Sequence, residues 1–464
     1  MKELVKPLYS EQPLSPNGKK RYASPYINKD KNKGDGLIRG ATVLSIGGLI
    51  AKLLGAFYRI PLTSLLGAEG LGIYQTAFPV YCILLTFSST GVPSAIAKLI
   101  SGGFGERAVL KKSLSLFIPI GILGSLIMVV FAPLIANLQG NVSATLSYIA
   151  LAPSVALVSV ISCIRGYFQG KLNMVPTALS QIIEQAVKLI AGLSLCYLIK
   201  GEPFVKGALA CLAVTVSEIA CLIFLFLTYK RRKNPSVGTL YLPIKRLIAT
   251  LLPIILSTLL IPLSRFFDSF TIVNILNDYT PFASSLYGIY TGSVESVVGV
   301  PVAICYGISS ACLPQISKAV HSGNIKALKN NFIKAFSFTL FLSTAFGLGL
   351  FIFSDLIVKI LFGGLTPFEQ SLTARLLSIS FFAVIGLSLI QTFTACLVGL
   401  SKPLVPCLFL SIGIAVKFSL QLFLLKNPNI NIFGALYSDI ACYFVAVFLN
   451  LLYIRSILFK KSVQ

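Results

Sequence analysis

A chain of 464 residues that is 55% hydrophobic and 12% charged, with a mean hydropathy of +0.85, carries more apolar side chain than one soluble core can bury. That excess must face lipid, which excludes a soluble globular domain. A formal net charge of +24 points to a nucleic-acid partner only if the basic residues are not explained by membrane topology.

Residues 1–36 are polar, basic and rich in Pro, Ser, Asn and Tyr, with no apolar h-region. They read as a disordered cytoplasmic tail rather than a cleaved signal peptide. Twelve apolar stretches follow, each close to the roughly 20 residues that a spanning helix needs. They cover 37–65, 71–99, 113–137, 144–164, 174–199, 204–229, 243–275, 282–314, 332–358, 372–400, 404–426 and 432–458. None alternates with period two, so the backbone in lipid must satisfy itself as helix rather than barrel.

With the N-terminus placed in the cytoplasm, the tail up to Arg39 holds nine Lys/Arg, and the cytoplasmic loops with the C-terminal end hold twenty. The outer loops hold five: Lys200, Lys206, Lys359, Arg375 and Lys426. This bias is the positive-inside rule and puts both termini in the cytoplasm. Basicity is therefore a topology signal, and no nucleic-acid partner is expected. The ten cysteines sit in apolar runs with no CxxC and no His beside them, as small hydrophobes and not metal ligands or disulfides.

The halves repeat. Gly72-Ile73-Tyr74 returns as Gly288-Ile289-Tyr290, Pro133-Leu134-Ile135 as Asp355-Leu356-Ile357, and Ala186-Val187-Lys188 as Ala415-Val416-Lys417. Gly170 and Pro176 likewise precede Gly399 and Pro406. Six spans per copy bring the second copy in with the same orientation, so the lobes relate by a pseudo-twofold along the membrane normal. The expected fold is an all-α membrane protein of about twelve helices. It divides into a tail at 1–36, an N-terminal lobe at 37–230, a cytoplasmic linker at 231–242, a C-terminal lobe at 243–458 and a cytoplasmic end at 459–464.

Charge inside a span costs about 2.5–3.5 kcal/mol on insertion scales, so each instance calls for a reason. Lys52 and Arg59 are seven apart on one helix face, with no acid in their span. That face should line a polar cavity and meet an anion, and the planar fork of Arg59 suits phosphate. Arg265 is the basic residue of the seventh span, three positions before Asp268, with which it can pair. Glu295 has no local partner and is free to answer Arg265 or to carry a coupling cation or proton. Glu184 and Lys188 are spaced to pair along the fifth span. Glu218, Lys417 and Asp439 stand isolated on their helices, with pairing among themselves open. Arg165, Lys98 and Lys318 are placed to ring the cytoplasmic mouth or to serve as positive-inside anchors.

The stretch Lys52-Leu53-Leu54-Gly55-Ala56-Phe57-Tyr58-Arg59-Ile60-Pro61-Leu62, with Leu66-Gly67-Ala68-Glu69-Gly70 and Gly91-Val92-Pro93-Ser94-Ala95-Ile96-Ala97-Lys98, resembles the stage V sporulation protein B and polysaccharide-biosynthesis proteins. Leu286-Tyr287-Gly288-Ile289-Tyr290-Thr291-Gly292 through Leu313-Pro314-Gln315-Ile316-Ser317 is similar to that family's eighth helix. These proteins fall in the multidrug/oligosaccharidyl-lipid/polysaccharide flippase superfamily, with the lipid II flippases and the MATE-type extruders. The resemblance implies a V-shaped pair of lobes that flips an undecaprenyl-pyrophosphate-linked cell-wall sugar by alternating access. It also implies cavity arginines on the pyrophosphate, Arg59 and Arg265 with Lys52 assisting. Tyr58-Arg59 stands where lipid II flippases carry an Arg-Asp pair. Family members usually have fourteen helices, the last two forming a lipid-tail groove, whereas twelve are expected here.

The function expected is thus a flippase in the bacterial plasma membrane, working as a monomer on a lipid-linked oligosaccharide among membrane lipids. It needs no cofactor, and coupling to Na+, H+ or membrane potential is open. A cation-coupled multidrug exporter is the alternative, against which the first span offers no acid. A membrane glycosyltransferase or ligase would need a catalytic loop, and the lone His321 in a cytoplasmic loop does not supply one.

Overall fold

The computed structural model describes residues 31–86, 91–231, 248, 251, 259–322, 324–400, 402 and 404–460, and the side chains of Lys318 and His321 lie outside that description. The linker at 231–242 and the tail at 1–36 fall almost wholly outside the described residues. No strand occurs among those described.

The first lobe runs α1 (Lys31–Leu85), α2 (Val92–Ser101), α3 (Glu106–Val130), α4 (Ala132–Leu138), α5 (Thr145–Gly170), α6 (Val175–Leu198) and α7 (Pro203–Lys230). The second runs α8 (Leu260–Asn277), α9 (Ala283–Gly288), a π turn (Ile289–Val294), α10 (Glu295–His321), α11 (Ile325–Ile352), α12 (Ser354–Leu361), α13 (Pro367–Ile379), α14 (Phe381–Gly399), α15 (Leu404–Leu424) and α16 (Phe433–Lys460).

Ten helices among the described residues are long and apolar enough to cross a bilayer. One of them holds two spans. Inside α1, Gly67 adopts φ +67° and ψ 178°, a geometry that glycine reaches without a Cβ clash, and the chain reverses there between spans one and two. The seventh span is α8, whose upstream part is not described. These two facts reconcile the ten helices with the twelve spans read from hydropathy.

Where an apolar run is interrupted, the repeat shows in the structure as well. α3 stops at Val130 and restarts as α4 with Pro133 in its first turn, while α11 stops at Ile352 and restarts as α12 with Asp355 in its first turn. Large apolar side chains on the outside, such as Leu123, Val130, Phe341 and Phe423, are exposed where lipid lies.

Each lobe has its own core. In the first, α5 packs on α3 and α7, and α6 on α1 and α7; in the second, α14 packs on α10 and α11, and α15 on α16. The lobes meet chiefly through α1, against α8, α9, the π turn and α10. At this junction Gly72 lies on Ser284 and Gly288 on the backbone of Ala68 and Gly72, so no side chain separates the helices.

Polar loops complete one end of the seam. Asn274 Nδ2 donates to Leu138 O at 2.8 Å and Asn277 Nδ2 to Gly140 O at 2.9 Å, with Gly140 itself at φ +69°. Gln139 Nε2 reaches Ser269 Oγ at 2.7 Å, Asn141 Nδ2 reaches Ser284 Oγ at 3.1 Å, and Gln75 Nε2 donates to Thr291 O at 3.1 Å. Gly364 lies against the backbone of Ser64. Side-chain amide bonds of this kind to carbonyl and hydroxyl oxygens hold one end shut, at roughly 1 kcal/mol net each.

Candidate functional site: a cationic cavity between the lobes

Toward the other end the lobes part around a cavity of about 660 Å³. Its walls come from the first half of α1, from α5 and α6 in one lobe, and from α8, α10 and α14 in the other. Gly299 on α10 has nothing within 4 Å of where a Cβ would stand, as befits a residue in the cavity wall.

Five basic side chains line the cavity (Lys52, Arg59, Arg165, Lys188 and Arg265) against two acids, Glu184 and Glu295. Both acids are taken. Arg165 Nη2 bonds Glu184 Oε2 at 2.9 Å, and Arg265 Nη2 meets Glu295 Oε2 at 3.2 Å. Lys52, Arg59 and Lys188 have no carboxylate within 4 Å among the described residues. Arg59 donates to Ser296 Oγ across the seam at 3.0 Å. The Lys52 ammonium lies 4.6 Å from the centre of the Tyr306 ring, and that of Lys188 lies 5.6 Å from the Tyr58 ring. Aromatic faces and a hydroxyl hold these cations without cancelling their charge. The cavity is left with three cations that make no direct ion pair among the described residues.

Several charge pairings differ from those the spacing suggested. Glu184 makes its direct ion pair not with Lys188 but with Arg165 from α5, whose Nε also donates to Ser180 Oγ at 2.9 Å. Lys188 is thereby released into the cavity, a basic residue that sequence spacing hid behind a local partner. Arg265 does not pair with Asp268, because Glu295 on α10 answers it instead. Asp268 turns to Lys417, which it holds at 2.6 Å while Asp439 holds the same ammonium at 2.7 Å and Tyr290 donates to Asp439. Lys417 is buried and clamped by two carboxylates, whereas its repeat mate Lys188 makes no direct ion pair among the described residues.

Arg165 belongs to the cavity wall, with 13% of its side chain exposed, and not to a ring at the mouth. Lys98 is exposed near the end of α2 and does not line the cavity. Glu218 is buried behind Glu184 and Cys221, within a group whose ligand atoms lie within 4.8 Å of one another. The Arg165 guanidinium occupies the place of a cation there, touching Cys221 Sγ at 3.3 Å.

Residues 37–320 match the family described as polysaccharide biosynthesis protein. The chain is 27% identical over 346 residues to stage V sporulation protein B of Bacillus subtilis (strain 168), covering 70% of this chain and 67% of that one. It is 28% identical over 422 residues to lipid II flippase MurJ of the same organism, covering 84% of this chain and 77% of that protein. Among solved structures, an inward-facing multidrug resistance MATE transporter of the MOP superfamily superposes with a TM-score of 0.77 at 15% identity, over 89% of this chain and 96% of that one. An outward-facing conformation of such a transporter gives 0.65, at 15% identity, over 92% and 96% of the two chains.

Proposed function

Because the chain belongs to the polysaccharide biosynthesis protein family, whose fold it carries in two lobes around a cationic cavity, we propose that it flips a pyrophosphate-linked sugar lipid of the cell wall across the bacterial plasma membrane. The observation that carries this reading is the trio Lys52, Arg59 and Lys188, which line one interlobe cavity with no direct ion pair among the described residues. Three positive charges at bilayer depth persist only where a polar cavity, and in the working cycle an anion, solvates them. A polyvalent headgroup meets that need, and Arg265 adds a fourth donor once it exchanges Glu295 for phosphate.

The positive-inside orientation turns the sealed end outward, so the cavity opens to the cytoplasm in a loading state. Headgroup binding draws the lobes together around the cations. Breaking the polar seal of residues 138–144 and 274–284 then opens the outer side. No bond of the substrate is broken, and the chain acts as a transporter, not an enzyme. The membrane potential assists, since each anionic charge carried outward gains about 2.3 kcal/mol per 100 mV. The relatives named for lipid II and for sporulation lend the substrate class its support.

The direct test is genetic. Arg59→Ala should abolish rescue of a flippase-deficient strain while membrane abundance stays unchanged; full rescue by that variant removes Arg59 from the binding site.

A further inference from the structure

A second cavity of about 500 Å³ lies within the C-terminal lobe, between α8, α10, α14, α15 and α16. Its geometry is a cleft. α8 and α15 touch where the Asp268–Lys417 pair and the Phe267 and Phe418 rings, with centres 5.3 Å apart, close one end. Away from that contact the two helices stand apart with the cavity between them, and α15 leans on α16 rather than on α8. Leu260, Ile261, Leu387, Ile390, Leu410 and Ile414 form the apolar walls.

This cleft joins the central cavity. Arg265, Glu295 and Gln391 line both, and 54% of the Arg265 side chain is exposed there. The charges of the two spaces are opposite. Arg265 and Lys417 face three acids in the cleft (Asp268, Glu295 and Asp439), which repels an anion, whereas the central cavity attracts one. A molecule seated across both must keep its anionic part beside Lys52, Arg59 and Lys188 and lay an uncharged apolar part along the cleft.

We propose that the cleft is the seat of the hydrocarbon tail of an anionic lipid, with Arg265 at the junction between head and tail. This inference rests on the headgroup reading of the central cavity and names where the rest of the molecule goes. The occupant is a polyprenyl or acyl chain. The chain leaves a bilayer as apolar as these walls, so the cleft holds it by packing rather than by removal from water, and the continuous passage past Arg265 keeps head and tail in one molecule.

The test uses the full-length protein in nanodiscs and three probes: inorganic pyrophosphate, farnesyl pyrophosphate, and a farnesyl pyrophosphate analogue with a photoreactive diazirine at the tail end. The analogue should label peptides containing residues 260–264 and 407–414 of the wild-type protein. Leu410→Trp and Ile414→Trp, which fill the cleft, should weaken farnesyl pyrophosphate binding at least tenfold and leave inorganic pyrophosphate binding unchanged. Labelling confined to lipid-facing residues such as Phe341 and Phe423, or a lipophilic cation such as tetraphenylphosphonium protecting 407–414 while farnesyl pyrophosphate does not, would overturn the tail assignment. Equal binding of tailed and tailless probes would do the same while leaving the headgroup reading intact. Failure of all three probes to bind the wild-type protein would sink both readings together.

Discussion

Gly72 and Gly288, equivalent positions of the two repeats, are pressed backbone to backbone across the lobe seam. A Cβ on Gly288 falls 2.4 Å from Gly72 N, and one on Gly72 falls 1.9 Å from the carbonyl oxygen of Ser284. Contact this close fixes a pivot on the pseudo-twofold axis and leaves no room for a methyl group. Either alanine must push the lobes apart at the sealed end, at a cost of roughly 1–3 kcal/mol to the closed arrangement. Gly72→Ala and Gly288→Ala should therefore shift the population toward the state open at that end by about fivefold or more. Distances between spin labels at Val142 and Phe282, both exposed at the seal, read the shift directly. An unchanged distance distribution in both variants contradicts the pivot.

Lys417 is buried and held by two carboxylates, so removing it leaves Asp268 and Asp439 facing each other unbalanced. Lys417→Met should cost about 3–5 kcal/mol. The triple variant Asp268→Asn, Lys417→Met, Asp439→Asn should recover most of that loss, because no buried charge remains. Thermal unfolding in detergent compares the two; a triple variant no more stable than the single one refutes the clamp. Lys188→Met, lacking a carboxylate partner among the described residues, should stay within about 1 kcal/mol of wild type.

Glu295 competes with an incoming anion for Arg265. With half of the arginine open to the cavity, that pair is worth no more than about 1 kcal/mol. Glu295→Gln should accordingly raise pyrophosphate affinity by up to about fivefold, as measured by calorimetry. Lower affinity in this variant would assign Glu295 a positive role in binding.

Three cations in an aqueous cavity are screened by salt more than a buried pair is. Pyrophosphate binding should weaken by about tenfold or more between 0.05 and 0.5 M salt in the wild-type protein. The dependence should flatten once Lys52, Arg59 and Lys188 are neutralised.

The spans were legible in the sequence because lipid demands uninterrupted apolar runs, and the repeat was legible because Gly72-Ile73-Tyr74 and Gly288-Ile289-Tyr290 mark the same close packing twice. Charge partners were not. Spacing along a helix reveals only neighbours three or four residues away, which suggested Glu184 with Lys188 and Arg265 with Asp268. In the folded lobes a partner from another helix wins each time: Arg165 over Lys188 for Glu184, Glu295 over Asp268 for Arg265, and Lys417 for Asp268. The face shared by Lys52 and Arg59 was legible for the opposite reason, since a span with no acid has no local pair to mislead. Equal numbers of acids and bases within the spans concealed the sign of the cavity, because two of the acids, Asp268 and Asp439, are spent on clamping Lys417 in the second lobe.

Affinity of the purified protein for a pyrophosphate-linked polyprenyl sugar, compared with the Lys52→Gln, Arg59→Gln, Lys188→Gln variant in the same nanodiscs, addresses the cationic cavity itself. Each charge-assisted contact is worth about 1.5–3 kcal/mol, so the variant should bind at least 100-fold more weakly while folding and inserting normally. Equal affinity in the two proteins, or a wild-type preference for a lipophilic cation over the anionic lipid, contradicts the account.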